Sequence, residues 1–160
     1  MDPSNDSLPD LTDPFADMLG FHLRRTSVAV MSALSDQLQP LGVNPGEATL
    51  LLWIGANEGR TQSDVGRALR AQPANLVPLI NKLSLLGAID RTPGKGRAIT
   101  LSLSPQGRDL HAGVKRAFAR HEARIGRALP AGRRAELVGL LRQICLDACC
   151  ADMDGNGEAR

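Results

Sequence analysis

The chain has 160 residues, a formal net charge of only +2 and 42% hydrophobic residues. This length suits one domain, or one domain with a dimerisation extension, and the apolar share is large enough for a core. The near-balance of charge excludes a polybasic binder, so any contact with nucleic acid must come from locally clustered cations. Three phenylalanines, one tryptophan and no tyrosine exclude a surface that stacks single-stranded bases.

The chain ends and the apolar runs predict the compartment. The acidic N-terminus lacks the basic segment of a signal peptide, and the longest apolar run, ATLLLWIGA, is too short to span a bilayer. We therefore expect a cytoplasmic protein without a membrane partner, whose cysteines are reduced. Residues 1–12 and 151–160 are polar and are predicted to be disordered tails.

Between these tails, proline and good N-cap residues recur at intervals that predict helix starts. The predicted helices span about 14–39, 45–57, 62–70, 73–86, 105–128 and 131–149. Asn44 with Glu47, and Thr61 with Asp64, stand in capping-box register, and Gly87 is expected to end the fourth helix. The first, fifth and sixth helices carry apolar residues at helical spacing along one face.

After the fourth helix the apolar period changes from helical to alternating. The stretches AIDR and RAITLSLS predict two strands, and TPGKG predicts the turn that joins them. The fold class is therefore mainly α with a small β-hairpin. A short helix, a turn, a second short helix and a β-ribbon make a winged helix-turn-helix. The long outer helices are amphipathic and need a partner to cover them, which favours a homodimer.

This order of elements, with five local stretches, resembles the MarR family of transcriptional regulators over roughly residues 14–147. The stretches are LGVNPGEATLLLWI, TQSDVGRAL, ANLVPLINKLSLLGAIDR, GRAITLSLSPQG and LPAGRRAELVGLLRQI. The resemblance implies one domain over 13–150, with a winged helix-turn-helix DNA-binding lobe at 44–104 and dimerisation helices at 13–43 and 105–150. It also implies a sequence-specific regulator of double-stranded DNA, expected to be a repressor that a small aromatic or phenolic effector releases.

The chain departs from the family at two positions. The family often has an aspartate two residues before the wing arginine and a basic residue inside the recognition helix, where this chain has Lys95 and Pro78. Lys95 leaves Arg97 without its usual salt bridge, and Pro78 is expected to bend the helix and removes a phosphate contact. Arg91, Lys95 and Arg97 are then predicted to carry much of the attraction to DNA, with the cationic tip in the minor groove.

The remaining predicted DNA contacts lie on the two helices of the motif. Gln72, Ala74, Asn75 and Val77 stand near the N-terminus of the recognition helix, where asparagine can pair with adenine and small apolar groups can meet thymine methyls. Predicted phosphate contacts are Thr61, Gln62, Ser63, Arg67, Arg70, Asn81 and Lys82. The alternatives are helix capping for the hydroxyls and for Asn75, and solvated charge for the arginines.

An effector site is suggested by His22, Arg24 and Arg25 on the first helix and Trp53 on the second. A histidine and an arginine beside apolar residues can hold a carboxylate or a phenolate. The alternative is that His22 is a half-buried interface residue and that the arginines are solvated or paired.

Two other functions remain open at this point. Cys145, Cys149 and Cys150 suggest a redox switch on the same fold, although they do not form a CxxC motif and cysteine also serves as a small hydrophobe in helix interfaces. A helical adaptor whose wing binds protein is the other alternative. Because the sequence has no catalytic motif and no metal-ligand spacing, we expect neither an enzyme nor a metal or cofactor site.

Overall fold

The computed structural model describes residues 12–94, 96 and 98–154, apart from the side chains of 148–154. Its helices are α1 (Leu19–Leu38), α2 (Pro45–Ala56), α3 (Gln62–Leu69), α4 (Pro73–Leu85), α5 (Pro105–Gly126) and α6 (Arg133–Asp154). The strands are β1 (Arg60–Thr61), β2 (Ile89–Pro93) and β3 (Ile99–Leu103). This order confirms the prediction of a mainly helical fold with a winged helix-turn-helix.

The element boundaries differ from the prediction at both ends of the chain. Residues 14–17 form a turn, in which the Phe15 N–H donates to the Asp13 carboxylate at 2.9 Å, and α1 begins only at Leu19. At the other end α6 continues to Asp154, so 151–154 are helical rather than part of a tail. The rest of the two predicted tails, 1–11 and 155–160, lies outside the described residues.

The sheet has the order β1-β3-β2 with antiparallel pairing throughout. Thr100 of β3 pairs with Thr61 on one side and with Thr92 on the other, and the Thr92 and Thr100 hydroxyl oxygens lie 2.7 Å apart. Because Thr61 directly precedes α3, the strand β1 fixes the wing to the first turn of that helix. The Gly94 N–H donates to the Ala98 carbonyl at 2.8 Å across the wing turn. The predicted tip cations Lys95 and Arg97 lie outside the described residues.

The core lies where α2, α4 and α5 meet the inner face of β3. Its largest fully buried side chains are Leu38, Leu50, Leu51, Ile54, Leu76, Ile80, Leu83, Leu101, Val65 and Val114. Val65 of α3 and Ile80 of α4 therefore point into the core. Gly87 follows α4 with a φ of +63°, as expected of a glycine after a helix end.

The start of α5 joins the DNA-binding lobe to the outer helices. The Ser104 hydroxyl caps α5 by accepting from the Gly107 N–H at 2.8 Å, and it donates to the Gly87 carbonyl. Gly107 lies so close to the residue that precedes β2 that a Cβ there would be 1.7 Å from the Ala88 carbonyl oxygen. A side chain at this position is therefore incompatible with the observed packing.

The outer helices leave apolar surface uncovered. α1 packs along α5, whereas α6 makes few close backbone contacts with the rest of the chain. Exposed large apolar residues on these helices are Leu19, Val28 and Met31 on α1, and Leu137, Val138, Leu140, Leu141 and Leu146 on α6. None of the helices in the described part of the chain is long and apolar enough to cross a membrane.

Candidate DNA interface and effector cavities

Thr61 closes the N-terminus of α3 through a reciprocal capping box. Its hydroxyl oxygen accepts from the Asp64 N–H at 3.2 Å, and the Asp64 carboxylate accepts from the Thr61 N–H at 3.1 Å and from the Thr61 hydroxyl at 2.7 Å. These hydrogen bonds from Thr61, aided by Arg67, hold the pKa of Asp64 below its usual value. Since the Thr61 hydroxyl proton is donated to Asp64, the structure gives Thr61 the capping role, and its phosphate contact stays a prediction.

The turn between α3 and α4 depends on a left-handed residue. Arg70 has a φ of +49°, and its N–H donates to the Arg67 carbonyl at 3.3 Å while the Ala71 N–H donates to the Gly66 carbonyl at 3.0 Å. A non-glycine residue in this region costs about 1 kcal/mol. The exposed Arg70 side chain thus leaves the backbone at the point where the two helices of the motif meet.

The N-terminus of α4 presents Gln72, Ala74 and Asn75 to solvent. Pro73 occupies the first helical position, where its missing N–H costs nothing. Among the described residues the Asn75 side chain makes no hydrogen bond, and the Gln72 side chain does not cap the helix. The capping alternative for Asn75 therefore gains no support, and its amide is available to a ligand.

α4 runs unbroken through Pro78. Proline removes the donor that would pair with the Ala74 carbonyl, but both residues are exposed, so water can reach that carbonyl. Pro78 therefore does not end the recognition helix, and the bend expected from the sequence stays a prediction.

An exposed hydrogen bond ties the wing to the recognition helix. The Arg91 guanidinium on β2 donates to the Asn81 side-chain oxygen on α4 at 2.6 Å. Lys82, next along α4, is exposed in the last turn. The predicted phosphate contacts Asn81 and Lys82 and the predicted wing contact Arg91 are thus brought together beside the C-terminal half of the recognition helix.

An open hollow of about 510 Å³ lies between α3, the start of α4 and β3. Its lining includes Gln62, Ser63 and Arg67 from α3, Pro73 from α4 and Ile99 from β3. Arg67 is 79% exposed and forms an ion pair with Asp64. The hollow therefore combines the first turn of α3, whose backbone N–H groups favour anions, with a cation beside the reading helix.

Arg60 is a further candidate contact that the sequence pattern did not indicate. Arg60 is exposed, lies on β1 opposite Leu101, and directly precedes the capping box at Thr61. A strand of two residues is too short to show an alternating pattern in the sequence. The position of Arg60 beside α3 is therefore evident only from the folded structure.

The structure does not bring all four predicted effector residues into one site. His22 is exposed, and one ring nitrogen lies 2.8 Å from the Ala16 carbonyl oxygen of the preceding turn. Arg25 lines a hollow of about 220 Å³ on α1 together with Phe21, Arg24 and Val28. Trp53, on α2, packs against the core. Their joint role in effector binding stays a prediction.

A larger apolar cavity of about 550 Å³ lies between α1, α5 and α6. Its walls include Leu23, Val30, Ile125 and Leu141, and the Glu122–Arg134 ion pair, with a separation of 2.6 Å, lies at the same cavity. Residue types alone did not indicate this cavity, because its α1 wall is about a hundred residues away in sequence from the walls formed by α5 and α6.

Cys145 is exposed on α6 and lines the larger cavity. The side chains of Cys149 and Cys150 are outside the described part of the chain, so the redox alternative stays a prediction. Among the described residues, no group of three or more His, Cys, Asp or Glu side chains is placed to hold a metal ion.

A titratable cluster joins α2 to α5. The Arg108 guanidinium donates to both Glu58 carboxylate oxygens, at 2.7 and 3.2 Å. His111 lies so close to Gly55 that a Cβ there would be 2.5 Å from the ring Nε2. Burial lowers the pKa of His111, and the positive charges of Lys115 and Arg108 lower it further while Glu58 opposes them.

His111 predicts a dependence of stability on pH. Because its pKa is lower in the folded chain than in the unfolded one, the neutral ring contributes stability that is complete above the unfolded pKa and is lost as the pH falls through the folded pKa. We expect His111→Gln to flatten the fall in the free energy of unfolding between about pH 7 and about pH 5. Urea unfolding of both proteins across this range measures the effect, and parallel pH curves would contradict it.

The exposed start of α4, the hollow beside α3 and the braced wing together define a winged helix-turn-helix DNA-binding protein. No family model matches the chain. A transcriptional regulatory protein for the hcr operon of Thauera aromatica is 30% identical over 146 residues, which cover 89% of this chain and 88% of that protein.

Solved structures extend the likeness. The transcriptional repressor CouR is 28% identical in a structure bound to a 23-mer DNA duplex, with a TM-score of 0.79 over 85% of this chain and 99% of CouR. CouR bound to p-coumaroyl-CoA gives a TM-score of 0.76 over 85% and 98% of the chains, again at 28% identity. A MarR-family regulator from Rhodococcus sp. RHA1, 23% identical, shares the fold with a TM-score of 0.73 over 83% and 97%. This chain belongs to the MarR family of transcriptional regulators.

Proposed function

We propose that this protein is a dimeric repressor that binds a pseudo-palindromic operator in double-stranded DNA and is released by an aromatic acyl-coenzyme A thioester. The observation that carries the proposal is the exposed N-terminal end of α4 beside the hollow of α3 and the wing, with an Asn75 amide that makes no hydrogen bond to any described residue. Such a face fits a major groove with phosphates on either side. CouR bound to a DNA duplex supports this reading. The proposal includes a cytoplasmic location, where the DNA is.

The dimer is supported by the uncovered apolar surface of α6. Leu140 is 52% exposed and Leu146 48% exposed, on a helix that makes few close contacts with its own chain. A soluble regulator rarely leaves such a stripe open to water, and a two-fold partner is the commonest way to cover it. A two-fold dimer would place two copies of α4 about one helical turn of DNA apart, roughly 34–36 Å.

The structure of the repressor CouR bound to p-coumaroyl-CoA supports this effector class, because that ligand is an aromatic acyl thioester. In this chain the cavity between α1, α5 and α6 is apolar and large enough for an aromatic acyl group.

DNA binding is tested with the promoter DNA that flanks the protein's own gene. The full chain is titrated onto labelled duplexes at several salt concentrations, and fluorescence anisotropy reports the affinity. We expect an affinity that falls steeply with salt and a preference over unrelated DNA of the same length. No binding to any such fragment at low salt would overturn the proposal and would favour the adaptor alternative.

Replacing Arg91 with alanine is expected to lower the slope of log affinity against log salt by about one unit, because one phosphate contact is lost. The same titrations with the variant measure this slope. Arg120→Ala is the matched control, since it removes an exposed cation from α5, outside the DNA-binding lobe. An equal change in both variants would argue against a phosphate contact by Arg91.

The effector is tested by adding p-coumaroyl-CoA, free p-coumarate or free coenzyme A to the preformed complex with DNA. We expect the thioester to release the DNA at concentrations at which neither part does. Release by p-coumarate alone would replace the thioester with a free phenolic acid as the effector class. No release by any of the three would remove aromatic acyl thioesters of this kind from the proposal.

A further inference from the structure

The outward face of the recognition helix is unusually apolar. Side chains three and four residues apart share a face of a helix, and the exposed ones after the first turn of α4 are Val77, Pro78, Asn81, Lys82 and Leu85. Val77 remains 39% exposed although it is a large aliphatic residue. The centre of the face that faces away from the core therefore consists of methyl and methylene groups.

Charge and hydrogen-bonding groups are scarce along the same face. From Pro73 to Asn81 the helix has no charged residue, and Lys82 is its cation in the last turn. The Asn81 side-chain oxygen is already occupied by Arg91 at 2.6 Å. Polar reading of bases by α4 thus depends mainly on Gln72 and Asn75 at its start, and the surface that follows them has to meet the DNA with apolar groups.

Pro78 makes this apolar surface rigid. Its ring fixes the local backbone and has no rotatable side chain, and Val77 beside it has a stiff, branched side chain. Groups that are already fixed lose little conformational freedom when they are buried. Pro78 costs α4 one hydrogen bond, yet it stands on the exposed face, where the core gains nothing from it.

In the major groove only one base presents a methyl group at its edge, since thymine has it at C5 and the other three bases have none. We infer that Val77 and Pro78 read thymine methyl groups, so that the operator half-site has thymines where the centre of α4 lies in the groove. The inference rests on the proposed DNA-binding function, because α4 continues the same exposed face as Ala74 and Asn75. It gives Pro78 a direct part in base recognition.

The test replaces thymine with deoxyuridine, which removes the methyl group and leaves base pairing intact. The full chain first selects a binding duplex from random-sequence DNA. Each thymine of one half-site is then changed in turn, and anisotropy compares the affinities. We expect a loss of about three- to fourfold for each methyl group that is contacted, which is the effect of leaving one buried carbon group exposed.

Protein variants assign the effect to residues. Pro78→Ala regains a helical N–H and is expected to fold at least as stably as the parent, and Val77→Ala shortens an exposed side chain. In each variant the thymine-to-uracil ratio at one position should fall towards one, because alanine covers less of the methyl group than valine or proline does. Because the parent protein and each variant bind the same duplexes, any effect of uracil on the shape of the DNA changes both of their ratios equally and cancels when the ratios are compared. Leu85→Ala is the matched control, because Leu85 is 86% exposed at the C-terminal end of the same helix, and it should keep the full ratio.

The outcomes separate the inference from the function on which it rests. If no duplex is selected, the proposed DNA-binding function fails. If a duplex is bound with equal affinity whichever thymine is replaced, the function stands and the inference is overturned, and the apolar face is then better explained as a surface for a protein. If discrimination persists unchanged in both Pro78→Ala and Val77→Ala, these two residues do not read the methyl groups and the inference is likewise overturned.

Discussion

Replacing Gly107 with alanine is expected to lower the free energy of unfolding by about 3 kcal/mol, at the upper end of the usual cost of overpacking. The added Cβ would stand 1.7 Å from the Ala88 carbonyl oxygen and 2.7 Å from its carbonyl carbon, so backbone has to move. That carbonyl also accepts from the Ser104 N–H at 3.2 Å. The substitution therefore disturbs the cap of α5 and the junction between the lobe and the outer helices together.

Urea unfolding at one fixed protein concentration measures this loss, since the stability of an oligomer depends on concentration. Gly139→Ala is the control, because nothing lies within 4 Å of the position that its Cβ would take. Alanine in a helix is favoured over glycine by about 1 kcal/mol, so this variant should be as stable as the parent or slightly more stable. Equal stabilities of the parent and Gly107→Ala would contradict the close contact with Ala88.

Replacing Asn75 with alanine is expected to weaken operator binding by about 1–3 kcal/mol and to relax the preference for one base pair. Within the described residues the Asn75 side chain makes no hydrogen bond, and it is exposed, so the fold should lose nothing. The loss then reports on DNA alone. Competition anisotropy against duplexes with each base pair varied in turn measures both effects.

Gln143→Ala is the matched control for Asn75, because it removes an exposed amide from α6. It should leave the affinity and the base preferences unchanged. A loss in Asn75→Ala that is equal for every duplex would identify a backbone contact and would contradict base reading by this residue.

The helix starts were predictable because their signals are local. Both capping boxes read from the sequence, Asn44 with Glu47 and Thr61 with Asp64, are present in the structure. The start of α1 was predicted too early. Asp13 does accept a hydrogen bond from a backbone N–H, but that bond lies in a turn that ends before the helix begins. A cap residue before a proline therefore predicts that the chain turns, and cannot by itself predict how far the turn extends.

The candidate sites were less predictable because they depend on segments that are distant in sequence. Arg60 is placed beside α3 by pairing with Leu101, a residue about forty positions later in the sequence, and no pattern around Arg60 indicates this. The cavity between α1, α5 and α6 has the same origin. Conversely, the apolar face of α4 was visible in its sequence, but only the burial of Leu76, Ile80 and Leu83 shows which residues remain outside.

Because α6 makes few close contacts with its own chain, the concentration of the protein itself affects how much of the operator is occupied. If two copies must meet to cover its leucines, dilute protein is mainly monomeric, and the concentration of dimer then falls with the square of the total. Operator occupancy would rise more steeply with protein level than a single-chain binder allows. A modest change in synthesis or turnover of the chain would thus shift the promoter sharply, with no effector present.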